Sequence, residues 1–187
     1  YLQSVGCALT RKLEDNKEVV YVSSGEGTTS QGDFHEALNW ASRERAPVIF
    51  HIQDNEYAIS THKSEQTAGS VYSLVSGYEN LSKIQVDGTN FFESSLAFKQ
   101  AVERARRGKG PSVIVSNVVR LMPHSSSDDQ RKYRSEEDLA KDMARDPIEL
   151  FKKSCINENI FSEKDAEQIE QKSSKQIADD ILWADEQ

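Results

Sequence analysis

The stretch EVVYVSSGEGTTSQGDFHEALNWASRERAPVIFHIQDN, Glu18 to Asn55, decides the fold. Its opening, EVVYVS (18–23), has the β-branched and aromatic content of a short buried strand. GDFHEALNWASRER (32–45) then places Phe34, Ala37, Leu38 and Ala41 along one helical stripe, and Pro47 opens a second strand, VIFHIQD. The unit is therefore strand, small-residue loop, helix, strand.

Reading outward, LQSVGCALTRKLE (2–14) carries small and apolar residues at helical spacing, so a helix precedes the first strand. SKIQVDG and PSVIVSNVV read as two further strands, separated by a helix from Phe91 to Arg107. Asn90 and Glu93 open that helix as a capping box, and Gly108 stands at its C-cap. The cations of RARRGKG complement the helix dipole there, which accounts for them without a nucleic-acid patch. Four strands alternating with helices predict the α/β class: three layers, a mostly parallel sheet between helices, with ligands at the carboxyl ends of the strands.

Beyond Arg120 the strand pattern stops. LMPHSSSDDQRKYRSEE reads as a polar loop, and DPIELFKKSCIN as a helix capped by Asp146 with Pro147 in its first turn. Ser162 and Asp165 open a last helix, in which Ile169, Ile177 and Ile181 lie near one stripe running to Trp183. The expected organisation is one domain over 1–187, with an α/β core over 1–134 and a helical extension over 135–187. The 187 residues suffice for one such domain.

A formal net charge of −8 argues against a sequence-independent nucleic-acid binder, which needs cations for phosphate. Two cysteines, Cys7 and Cys155, lie far apart without a CxxC partner, so neither a disulfide scaffold nor a cysteine zinc site is indicated. No window approaches the roughly 18 apolar residues of a membrane span. The chain opens at Tyr1 inside a helical pattern, without Met or a signal peptide, and reads as cut from something longer.

The loop GEGTTSQG starts like a dinucleotide fingerprint, but Ser30 stands where the third glycine belongs, and no GK[ST] follows for a Walker loop. A tight turn between strand and helix remains, able to bring backbone N–H groups to a phosphate or to serve only as a connection. Glu26 would repel that anion unless it held a bridging cation, and Mg²⁺ takes one or two carboxylate or amide oxygens together with phosphate oxygens. Asn55, at the end of the next strand, is the natural second ligand, because adjacent ends of a parallel sheet lie close together.

Gly25-Glu26-Gly27 followed by Asp54-Asn55 resembles the metal motif of thiamin-diphosphate enzymes. GEGTTSQGDFHEALNWAS with PVIFHIQDNEYAIST resembles, more narrowly, the α subunit of the first, decarboxylating component of 2-oxo acid dehydrogenase complexes. The likeness continues through VDG, RRGKGPSVIV and PHSSSDDQRKYRS to the C-terminal helices. It implies that Glu26, the Asn55 side chain and the Tyr57 carbonyl coordinate Mg²⁺, and that Gly25, Gly27, Thr28 and Ile59 line thiamin diphosphate. One departure is Gln53, where many relatives have an arginine that reaches the diphosphate.

Of four histidines, His35, His51 and His62 read as structural or surface residues, while His124 sits in a polar loop beside Ser125, Ser126, Ser127, Asp128 and Asp129 that could orient its ring. The resemblance makes His124 the residue facing the reacting end of the cofactor, with Arg120, Ser125, Asp128, Tyr133 and Arg134 ordering the loop. Ser125 takes the place of a serine phosphorylated in mitochondrial relatives, where added charge would oppose an anionic substrate.

The implied function is oxidative decarboxylation of a 2-oxo acid with acyl transfer to lipoyl-lysine. The implied partners are a β subunit or β part that completes the active site, in an α2β2 assembly, and the lipoyl domain of the acyltransferase. The fragment alone is expected to be inactive. HSSSDD with the following YR is closer to the branched-chain type than to the HSMSDP loop of many pyruvate enzymes. A transketolase-like or acetoin-cleaving enzyme would keep the metal motif without this loop, and a non-catalytic assembly subunit is the third alternative. The expected location is the bacterial cytoplasm, with the mitochondrial matrix left open by the absent N-terminus.

Overall fold

The computed structural model describes residues 1–187, which divide into two units, Tyr1–Pro147 and Ile148–Gln187. The first is built on a four-stranded, wholly parallel sheet of β1 (Val20–Gly25), β2 (Val48–Asp54), β5 (Ser82–Asp87) and β6 (Ser112–Asn117), in the order β1-β2-β6-β5. β2 and β6 are central and read as nearly unbroken apolar runs because both their faces are covered. Alternation then sorts the side chains. Val48, Phe50, Ile52, Val113 and Val115 pack with Phe34, Ala37, Leu38 and Ala41 of α2 (Gly32–Glu44) and with Val5 and Ala8 of α1 (Leu2–Leu13). Ile49 and Ile114 face the opposite layer, Ala97 and Ala101 of α4 (Phe91–Arg106). Full burial of side chains such as Phe50 or Leu38 stabilises the fold by roughly 1.5–3 kcal/mol each.

The three-layer α/β expectation is met, with local corrections. β1 begins and ends two residues later than expected, since Val20 N–H pairs with Pro47 O, and this brings Gly25 into the strand beside Gln53. The loop after it is a 3₁₀ turn, Glu26–Ser30. Asn90 Oδ1 accepts from Phe92 and Glu93 N–H, but Glu93 Oε1 accepts from Asp87 N–H, so only half of the expected box closes on Asn90. Arg107 is the C-cap of α4, and Gly108 follows in the left-handed region at φ +67°, where a Cβ would be strained.

Three features were not expected. A hairpin of β3 (Tyr57–Ala58) and β4 (Thr61–His62) follows β2, and a short helix, α3 (Val71–Leu74), follows the hairpin. Within the stretch read as a polar loop and its continuation, α5 (Glu136–Met143) forms, with Ser135 accepting from Asp138 N–H and three acidic residues in the first turn. The expected division after residue 134 separates α5 from the core, whereas the compact first unit runs on to Pro147. Asp142 of α5 is tied to Arg134 and to Arg120 N–H.

The second unit contains α6 (Pro147–Asn157), except for its first residue, and α7 (Glu163–Asp185). α7 opens with the expected capping box of Ser162 and Asp165. Its stripe of Ile169, Ile177, Ile181 and Trp183 is exposed.

Candidate active site

The carboxyl ends of β1 and β2 are neighbours, with Gly25 in register with Gln53. The 3₁₀ turn drops Glu26 directly beneath Asn55, and Asn55 N–H donates to Glu26 Oε2 at 3.2 Å. Glu26 is only 2% exposed, and its other oxygen, Oε1, has no hydrogen-bond partner. Burial pushes its pKa up, against the backbone N–H groups of Glu26 and Asn55, which pull it down. A buried carboxylate with one unmatched oxygen is costly unless a cation or proton meets it.

Asn55 Oδ1 accepts from Tyr57 N–H at 3.1 Å, an Asx turn that fixes the amide oxygen next to the Tyr57 backbone. The turn residue Thr28 donates to Gly25 O at 2.7 Å and is met by the Tyr1 hydroxyl at 2.8 Å, while Thr29 donates to Glu26 O at 2.6 Å. Gly27 lies against the hairpin so closely that a Cβ would stand 2.7 Å from Ala58 Cβ and 3.3 Å from Gln66 Nε2. That Gln66 amide nitrogen is buried without a partner. An orphan acceptor at Glu26 and an orphan donor at Gln66 thus flank one glycine. Gln53 is exposed at the end of β2.

Ile59, in the hairpin turn, holds φ +56°, a place usually left to glycine and unfavourable for a β-branched residue. Its carbonyl accepts from Arg120 Nη1 at 2.7 Å, and its side chain is exposed. Arg120 Nη2 donates to Tyr133 Oη at 2.7 Å, Tyr133 donates to Asp128 Oδ2 at 2.6 Å, and the same oxygen accepts His124 N–H at 3.0 Å. The hairpin and the histidine loop are joined through the Arg120 guanidinium, and the Asp128 carboxylate gathers the loop itself. The Tyr133 hydrogen bond first, and then His124 N–H, hold the Asp128 carboxyl below its ordinary range, while burial and Asp128 raise the Tyr133 phenol.

Arg134, 7% exposed, braces the loop from below. It donates to Arg120 O at 3.0 Å and to Asp142 Oδ2 at 2.6 Å, and its guanidinium lies over the Tyr57 ring at 5.1 Å, with Arg120 at 5.3 Å from the same ring. His124 and Ser125 are exposed, and Ser125 Oγ lies 3.2 Å from Ser127 Oγ. Asp128 engages the main chain of His124, so it orders the backbone of the loop.

The other histidines are accounted for locally. His51 bridges strands, with Nδ1 2.8 Å from Tyr21 Oη and Nε2 2.9 Å from Ser116 Oγ. His62 caps a turn through Ser64 N–H, and His35 packs edge-on to Phe34. Residues that sequence reasoning missed are Lys63, Gln66 and Asp142, and it gave Asp54 a place in the motif without its partners. Each acts across a turn or between elements, and only the capping pattern of SEED, residues 135–138, pointed toward Asp142 by announcing its helix.

Residues 1–187 match the family model described as dehydrogenase E1 component. The pyruvate dehydrogenase E1 component subunit alpha of Staphylococcus aureus (strain Mu50) is 34% identical over 186 residues, and that of Staphylococcus epidermidis (strain ATCC 12228) is 35% identical over 186. Each alignment covers 99% of this chain and 50% of the relative, so the chain spans about half the length of the curated relatives it matches. The chain belongs to the dehydrogenase E1 component family.

Proposed function

We propose that this chain is the metal- and diphosphate-holding part of an α-type subunit of a thiamin-diphosphate-dependent 2-oxo acid dehydrogenase. The observation that carries the reading is the buried Glu26 carboxylate, with Oε2 on Asn55 N–H and Oε1 unmatched at the end of a parallel strand. Family membership and the pyruvate dehydrogenase names of the relatives support the chemical class.

The residues present fit the groups. Glu26, the Asn55 amide oxygen and the Tyr57 carbonyl would hold Mg²⁺, a hard ion suited to oxygen ligands. The N–H groups of the 3₁₀ turn and the Gln66 amide donor would receive the diphosphate, and the missing Cβ of Gly27 lets that turn lie against the hairpin. When bound, thiamin diphosphate supplies an electron sink for loss of carbon dioxide from the 2-oxo acid. Ile59, held in its strained turn by Arg120, would set the lower wall of the cofactor space. His124, carried on a loop fixed by Asp128 and Tyr133, would bind the substrate carboxylate and take part in acyl transfer to a lipoyl arm. A β subunit or β part would complete the site, in an α2β2 assembly within a multienzyme complex. The loop HSSSDD favours a branched-chain 2-oxo acid beside the pyruvate of the relatives' names, and an activity screen of the α and β assembly with both acids decides between them.

Glu26→Gln in the complete α and β assembly tests the reading by calorimetry. The variant is expected to bind thiamin diphosphate at least about tenfold more weakly at fixed Mg²⁺, since it would leave the ion only neutral protein oxygens. Unchanged affinity would sink the proposal.

A further inference from the structure

We propose that Lys63 sets the ion preference of the Glu26 site by occupying the Asp54 carboxylate, so that Glu26 remains the single carboxylate open to the metal; this rests on the Mg²⁺ reading above. Asp54 ends β2, immediately before Asn55, and is 5% exposed. Its Oδ1 accepts Glu56 N–H at 3.0 Å, and Lys63 Nζ lies 3.2 Å from Oδ2 and 3.5 Å from Oδ1. The same ammonium reaches Glu56 Oε1 at 3.0 Å, and Lys63 N–H donates to Glu56 O at 2.8 Å. Lys63 therefore ties the end of β2 to the far side of the hairpin that carries Tyr57.

The contrast with Glu26 is what points to selectivity. Two buried carboxylates lie at the adjacent ends of β1 and β2; Asp54 is taken by an ammonium and a backbone N–H, while Glu26 keeps an oxygen without any partner. Asp54, Asn55, Glu56 and Lys63 line a pocket of about 500 Å³, and Asp54 directly precedes Asn55, whose N–H rests on Glu26, so an Asp54 carboxylate freed of Lys63 would be one residue from the proposed amide ligand. Mg²⁺ requires a near-ideal octahedron at short distances and is served by few carboxylates, whereas Ca²⁺ accepts 6–8 oxygens in irregular arrangements. Withdrawing the ammonium would add a carboxylate to the ligand supply and loosen the turn that positions the Tyr57 carbonyl. Both changes favour the larger, more tolerant ion. Lys63 acts through Asp54 and is a positioning residue.

The test uses the complete α and β assembly and measures the Mg²⁺ and Ca²⁺ concentrations that half-saturate thiamin diphosphate binding, by calorimetry and by quenching of intrinsic fluorescence. K63M is expected to move the preference toward Ca²⁺ by about fivefold or more, K63R to keep the wild-type ratio, and D54N/K63M to return toward it. K63Q, which removes the charge but keeps a polar side chain, is expected to shift the ratio in the same direction by a smaller factor, and it carries the test if K63M does not fold. An unchanged ratio in K63M or K63Q, or a double variant that behaves like K63M, overturns the inference. Wild-type cofactor binding that needs no divalent ion overturns the metal reading itself, and this inference with it.

Discussion

Glu26 and Gly27 show how much chemistry one backbone turn concentrates. The turn buries a carboxylate beneath Asn55 and simultaneously presses a glycine against Ala58, so the two residues share their constraints. Gly27→Ala forces its Cβ against Ala58 Cβ at 2.7 Å, and either the turn or the hairpin must shift. Overpacking of this kind costs about 1–3 kcal/mol, to be read as a lowered midpoint in urea unfolding and as weaker cofactor binding by calorimetry. The adjacency of Glu26 and Asn55 was legible because they follow successive strands of a parallel sheet. Gln66 was not, because nothing in its local sequence announces that the hairpin folds back onto Gly27.

Elements hold the site through a few cross-links, and these set its response to pH and to mutation. His51 joins β1 to β6 through Tyr21 and Ser116, with Phe98 edge-on to its ring at 4.9 Å, and burial lowers its pKa. With the folded value below the unfolded 6.5, the unfolded chain binds more protons at acid pH. The stability contributed by neutral His51 is therefore present above 6.5 and is lost as pH falls through the depressed value. His51→Gln is expected to flatten this part of the loss between about pH 8 and about pH 5 in urea titrations, and an unaltered slope would contradict it. In the histidine loop, Arg134→Met removes the ion partner of Asp142 and the brace under Tyr57; the expected loss is about 3 kcal/mol, read in the same titrations. Tyr133→Phe cuts the hydroxyl link between Arg120 and Asp128 and is expected to speed hydrogen exchange at His124 N–H, with little effect on exchange in β2.

At the scale of the whole molecule, the parallel sheet delivers both loops to the carboxyl end of its strands. The polypeptide alone is expected to show no 2-oxo acid turnover, because in the proposed reading a β part would supply the rest of the site; substantial decarboxylation by the purified chain would refute this. Periodicity alone determined the alternation of strands and helices, the α2 stripe buried against β2, and the capping box of α7, since each depends on neighbours a few residues apart. The motif spacing likewise placed Glu26 and Asn55 at adjacent strand ends, because a strand, turn, helix and strand in a parallel sheet leave few other arrangements. Only the tertiary structure decided the remainder: the unmatched Glu26 oxygen, the capture of Asp54 by Lys63, the contact of Gly27 with Ala58, and the passage from Ile59 through Arg120 and Tyr133 to Asp128. Those interactions join segments that are separated in sequence or reversed by a turn whose key residue, Ile59, carries no glycine signal. Their geometry follows from burial, close packing and paired charge in three dimensions, which no local pattern encodes.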